Sequence, residues 1–162
     1  MAVTEYSAVI FRGLSSDSKP ATTEGALFEE TDTNNVYAYR NGVWGALSRF
    51  GGASITIESP TATEDLSIFF TNAAITVSEI RAVLVGSATP SVTWTIRHGT
   101  DRSAAGAQVV TGGTTTTSTT TGSDVTVFND ATVVADSFLW LETTAKSGTV
   151  TELHVTIIYT VD

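Results

Sequence analysis

An all-β fold is expected for this chain of 162 residues from three features of its sequence. Apolar and polar residues alternate over short segments, most cleanly in Thr151 to Val161. Gly, Asn, Asp and Pro fall between those segments at short, regular intervals. Thr, Ser and Val abound, as half-buried extended strands prefer, and almost no stretch reads as helix. The expected architecture is a jelly-roll-like β-sandwich over residues 51–162, preceded by a small β-meander and arm in residues 1–50.

Glu5 to Arg12 reads as an extended arm, and Leu14 to Glu24 has loop composition. Gly25 to Leu47 reads as a three-strand meander: Ala26 to Thr31, Val36 to Arg40 and Val43 to Leu47. Asp32 to Asn35 makes the first turn, because Asp and Asn side chains hydrogen-bond their own backbone. Asn41-Gly42 makes the second and is the strongest short hairpin signal. Phe28, Tyr37 and Tyr39 share one phase of this ribbon, and Leu27, Val36 and Ala38 the other, so both faces are apolar. A ribbon this small is marginal alone, and its aromatics expose more surface than a monomer usually leaves bare. The block Met1 to Arg49 is therefore expected to be covered, by the rest of the chain or by another protein. The glycines in Phe50-Gly-Gly-Ala53 suggest a joint.

Eight strands are expected after it: Ser54 to Glu58, Asp65 to Thr71, Ile75 to Val85, Ser91 to His98, Ala107 to Thr111, Asp124 to Phe128, Ser137 to Thr144 and Thr151 to Val161. The tract Thr111 to Gly122 reads as a further strand between glycine turns. In the last strand Leu153, Val155, Ile157, Tyr159 and Val161 point inward, with Glu152, His154, Thr156 and Thr160 outward. Val92, Trp94 and Ile96 point inward from Ser91 to His98, with Thr93, Thr95 and Arg97 outward. In Ile75 to Val85 the apolar phase slips between Val77 and Ile80, which a bulge near Ser78 or a switch between sheets explains. Phe138 to Leu141 is apolar on both sides, as in a strand buried centrally or against a neighbouring subunit. Phe69 and Ile158 sit in polar phases of their strands and are the candidate oligomer-interface residues.

Composition narrows the function classes. Eight Lys and Arg against 17 Asp and Glu give a formal net charge of −9. Arg81, Arg97 and Arg102 are the nearest approach to a basic group, so neither nucleic acid nor an anionic membrane surface is an expected partner. Without cysteine there is no disulfide and no thiolate metal site. The start, Met-Ala-Val-Thr-Glu-Tyr, lacks signal-peptide character, which leads to the expectation of a protein made in a cytoplasm.

Catalytic and cofactor motifs are weak. His98-Gly-Thr-Asp101 pairs a base with a carboxylate, but in a glycine turn with no nucleophile elbow nearby. His154 reads as a surface or interface histidine, and a zinc site needs a third ligand that the sequence does not offer. Glu30-Thr-Asp32-Thr-Asn34 imitates a calcium loop without its glycine and distal glutamate. The glycines around the threonine tract lack the Gly-Lys-Ser ending of a phosphate loop. No catalytic, cofactor-binding or metal residue is assigned, and the protein is expected not to be an enzyme.

Two segments look familiar. Phe-Glu-Glu-Thr-Asp-Thr-Asn-Asn-Val-Tyr-Ala-Tyr-Arg-Asn-Gly-Val-Trp, Phe28 to Trp44, resembles a hairpin module that recurs in virion proteins of tailed bacteriophages. Ser91 to Asp162, with Thr-Ile-Arg-His-Gly-Thr-Asp-Arg-Ser and Phe-Leu-Trp-Leu-Glu-Thr-Thr, is similar to β-sandwich domains of phage head-decoration and fibre proteins. The resemblance implies a homotrimer whose N-terminal region anchors on the major capsid protein, with the sandwich projecting from the virion. The chain's shortness favours a decoration (cement) protein over a fibre. A fibre or receptor-binding module contacting host glycans is the alternative. Phe11, Tyr37, Tyr39 and Trp44 are the candidate capsid-binding residues, since aromatic side chains dominate interface energetics.

Overall fold

Among the described residues of the computed structural model, 9–32, 35–47, 50–111 and 113–162, there is no helix. The chain divides into two compact units, Met1–Ser48 and Arg49–Asp162.

The first unit is a four-stranded sheet in the order β1-β2-β3-β4, with β1 Ile10–Gly13, β2 Leu27–Glu30, β3 Val36–Arg40 and β4 Val43–Ala46. The three-strand meander is present. Asn41 and Gly42 have φ of 52° and 81°, the doubly left-handed turn whose twist suits a two-residue hairpin. The middle of the first turn, 33–34, lies outside the described residues, as does the start of the arm, 5–8. The rest of the arm is more than an arm. It pairs parallel to β2, with Phe11 opposite Phe28, and residues 14–26 form the crossover that a parallel connection requires.

The second unit is built on two 25-residue strands, β7 Ile75–Gly99 and β12 Ser137–Val161. They pair antiparallel from Ile75↔Val161 to Phe138↔Gly99. Each takes the place of two expected strands. The expected breaks at 86–90 and 145–150 lie within the ladder, where its register shifts and Ala88, Thr89 and Gly148 have positive φ. Two shorter strands flank β12: β5 Phe50–Glu58 along its C-terminal half and β6 Asp65–Thr71 along its N-terminal half. Four still shorter ones pair with β7: β8 Ala107–Gln108, β9 Thr114–Thr116, β10 Ser123–Val125 and β11 Thr132–Val133. The expected strand to Thr111 is shorter than its composition suggested, the threonine tract supplies only β9, and β11 was not foreseen.

One buried cluster unites the unit. Ile75, Val77, Ile80, Ala82, Leu84, Val92, Trp94 and Ile96 enter it from β7, and Leu139, Leu141, Leu153, Val155 and Ile157 from β12. The phase slip in β7 is a bulge at Ser78. Val77 pairs with Tyr159 and Glu79 with Ile158, so Ser78 is skipped. Its hydroxyl donates to the Ile158 carbonyl at 3.1 Å, satisfying one acceptor where the ladder is interrupted.

Three expectations are corrected here. Gly51 and Gly52 are not a joint; they lie inside β5. A Cβ on Gly51 would collide with the ring of Tyr159, so glycine lets that ring lie across the edge strand. Thr95, expected to face outward, is buried, because the segment after β8 passes over it and the Val110 carbonyl accepts its hydroxyl at 2.9 Å. Phe69, expected on an outer face, packs against the core. The register skips Ile68, since Leu139 pairs with Phe69 and Trp140 with Ser67, so the phase reverses before Phe69 and Phe70 becomes the outward residue.

Candidate docking surface

The four aromatic candidates of the first unit gather on one face, because Phe11, Phe28 and Tyr37 are successive partners across β1, β2 and β3, and Tyr39 pairs with Trp44. The Trp44 ring meets Phe11, Phe28 and Tyr39 edge-on, at centroid distances of 6.2, 6.0 and 5.2 Å. Edge-to-face contacts of this kind add about 0.5–1.5 kcal/mol each beyond the area they bury. The 14–26 crossover closes over the face. Pro20 accepts the Trp44 indole N–H at 2.9 Å, and the Lys19 ammonium sits 4.1 Å from the Tyr37 ring centroid and 4.9 Å from that of Phe28. Phe11, Tyr37, Tyr39 and Trp44 are thus half-buried members of the unit's own small core. Sequence periodicity placed Tyr37 and Tyr39 together with Phe28, but gave no phase for Phe11 or Trp44 and no signal that the loop between Leu14 and Glu24 would cover them.

The opposite face carries Ile10, Leu27, Val36, Ala38, Val43 and Leu47. Ile10 is 57% exposed, Val43 64% and Leu47 45%. Ala38 at its centre is buried, while Gly45 beside it has open space where a side chain would stand. Arg12 and Glu29 form an exposed ion pair of 2.8 Å at one margin.

In the second unit the titratable candidates serve local structure. His98 is buried and its Nε2 lies 3.2 Å from Asp130 Oδ2 rather than near Asp101. Asp101 instead accepts from the Ser103 hydroxyl at 2.7 Å and the Ser103 N–H at 2.9 Å, and the hydroxyl bond above all holds its carboxyl below the ordinary range. This is the turn reading of His-Gly-Thr-Asp. His154 does face outward, its ring nitrogens 2.7 Å from Thr56 Oγ1 and 3.0 Å from Thr156 Oγ1. Arg81, Arg97 and Arg102 each pair with a carboxylate, of Asp124, Glu142 and Asp65 respectively. Among the described residues no three His, Cys, Asp or Glu side chains gather as a metal site requires, and no helix is long and apolar enough to cross a membrane.

No protein family, curated protein or solved structure matches this chain.

The oligomer candidates separate. Phe69 stacks on Tyr159 at 5.4 Å with an interplanar angle of 16°. Ile158 keeps its outward phase, between Gly52 and Glu79. The aromatic pair that sequence phase missed is Phe70 and Phe138, with centroids 4.9 Å apart and Phe70 50% exposed. Trp94 and Trp140 are both buried, as their strands implied. They reach that state differently. Trp94 lies in the core, where Thr116 accepts its N–H at 2.9 Å. Trp140 lies on the other phase, under Arg102 at 4.6 Å, and donates to Glu142 Oε1 at 3.0 Å.

Proposed function

We propose that this protein is a non-enzymatic decoration (cement) protein of a phage capsid, docking on the assembled shell through its N-terminal unit. The observation that carries the reading is the apolar face of Ile10, Leu27, Val36, Val43 and Leu47, much of it exposed. Two of its residues, Val36 and Val43, belong to the segment Phe28 to Trp44 that resembles virion hairpins. The opposite, aromatic face is filled by the protein's own crossover, so the docking residues move from Phe11, Tyr37, Tyr39 and Trp44 to their neighbours of opposite phase. A partner that binds only assembled shell stabilises it by mass action, by about 2.7 kcal/mol at a hundredfold excess over Kd. The larger unit is read as a jelly-roll-like sandwich: the β7–β12 ladder shifts register near Ala88, Thr89 and Gly148, which take positive φ, and both halves feed one core. A homotrimer is the expected assembly, with Ile158 at its contact.

The test is co-sedimentation with assembled shells. Val43→Lys and Ile10→Lys place charge on the apolar face without touching the aromatic cluster, and both should lower occupancy at least tenfold. Full occupancy by the double variant overturns the reading. A glycan-binding module of a fibre is the second reading, favoured by the half-exposed Phe70–Phe138 pair, since flat rings stack on sugar faces. Binding to glycans, lost in Phe70→Ala, with no affinity for shells, would establish it instead.

A further inference from the structure

Lys19, Glu30 and Asn35 form a constellation that neither the docking surface nor the fold accounts for. Glu30 is 2% exposed in β2. One of its carboxylate oxygens accepts from the Lys19 ammonium at 2.8 Å, and the other from the Asn35 carboxamide Nδ2 at 3.3 Å. The Glu30 N–H donates to the Asn35 carbonyl at 2.8 Å, fixing the two backbones in register. The Phe28 and Tyr37 rings wall the Lys19 nitrogen, leaving its side chain 19% exposed and that of Glu30 3%. An amine, a carboxamide and a shared buried carboxylate are the parts needed to join the first two covalently.

We propose that Lys19 and Asn35 form an intramolecular isopeptide bond, with Glu30 as the proton carrier. Glu30 takes a proton from the Lys19 ammonium, freeing the lone pair on Nζ. The ring-lined surroundings work toward this neutral pair, because desolvation penalises charge, but the hydrogen bond to Glu30 outweighs them and keeps the neutral pair a minor state. Nζ attacks Asn35 Cγ once the two close to near-attack distance, roughly 3–3.5 Å. The Nζ–Cγ bond forms, and the Cγ–Nδ2 bond breaks as Nδ2 receives protons from Nζ and Glu30. The Glu30 carboxylate is regenerated and nitrogen leaves as ammonium. No oxidant or further reactant enters. Asn35 lies at the exposed end of the site, so the leaving group departs directly into water.

The product ties the 14–26 crossover to the β2–β3 hairpin, in a chain with no cysteine for a disulfide. A unit this small gains most from a covalent staple. The hydrogen bond to Glu30 holds the Lys19 ammonium above its ordinary value, so the linkage should form slowly and only in the folded state.

Intact-mass measurement of the purified full chain after incubation at neutral pH tests this. The expected mass is lower than that of the sequence by one ammonia. Cleavage after glutamates, which separates Lys19 from Asn35, should yield one branched peptide containing both. Lys19→Arg keeps the cation and Glu30→Gln keeps the shape; each should have its full mass and no branched peptide. Wild-type protein of full mass overturns the proposal. So does an ammonia loss that persists in Lys19→Arg, which would place the chemistry in a succinimide such as one at Asn41-Gly42.

Discussion

Buried hydrogen bonds and loop carboxylates decide single-residue behaviour here. The Trp94 indole N–H, enclosed in the core, has Thr116 as its acceptor, and Thr116 is fully buried. Thr116→Val keeps the volume and strands the donor, which should cost about 1–3 kcal/mol. Thr116→Ser keeps the acceptor and loses a methyl group, about 0.8 kcal/mol. Urea unfolding should therefore rank serine above valine, and the reverse order would deny the bond its role. Acid acts through three carboxyls built alike. Asp32, Glu64 and Asp101 each accept a hydroxyl and a backbone N–H, from Ser15, Thr61 and Ser103, and these bonds hold all three below their ordinary values. A carboxyl lowered in the folded state stabilises fully above its unfolded value, and that contribution is lost as pH falls through its folded value. Urea midpoints should thus be flat near neutrality and fall below about pH 4. Removing the hydroxyls in Thr61→Ala with Ser103→Ala should make the acid slope shallower.

Elements were legible where periodicity is local and illegible where a neighbour decides. The phase of Thr151 to Val161 and the Asn41-Gly42 turn were readable because each depends on residues a few positions apart. The slip at Ser78 was readable too, since a bulge must shift the apolar phase. Nothing local announced that Ile10–Gly13 would pair in parallel across a 13-residue crossover. The half-burial of the aromatic set was illegible for the same reason. Phe11, Tyr37, Tyr39 and Trp44 share a phase, but whether a phase is covered depends on a distant loop, here Lys19 and Pro20. The glycines at 51 and 52 misled because a strand glycine and a joint glycine look identical until the Tyr159 ring is placed. The bulge gives this scale its prediction. Deleting Ser78 leaves Val77 opposite Tyr159 and Ile75 opposite Val161, so the alternation runs unbroken and both side chains, 2% and 1% exposed, stay in the core. Each keeps the roughly 1.5–3 kcal/mol of its burial. Ser78→Ala removes only the bond to Ile158 and should cost about 1 kcal/mol. The deletion should therefore have a midpoint close to that of alanine, and a far lower one would show that the bulge does not set the phase.

At the scale of the whole molecule, the order of pairing in the second unit governs how it folds. Among the described residues, β5 and β6 pair with no strand but β12, and β8 to β11 with no strand but β7. The ladder that joins β7 to β12 brings Ile75 against Val161, and β5 pairs with β12 across still longer stretches, up to Phe50 with Thr160. β5 and β6, early in this unit, have no partner until the last segment is present. Loop-closure entropy must be overcome before those contacts contribute, which places such topologies in the millisecond-to-second range. Refolding from urea, followed by tryptophan fluorescence, should accordingly be slow. Truncation before Thr151 should abolish it, because Leu153, Val155 and Ile157, all fully buried, leave the core and β5 loses its partner. Truncating only Asp162, beyond the ladder, removes the acceptor of the Thr76 hydroxyl and should leave the rate unchanged. Microsecond refolding, or a cooperative transition in the Thr151 truncation, would mean that the core assembles without its last strand.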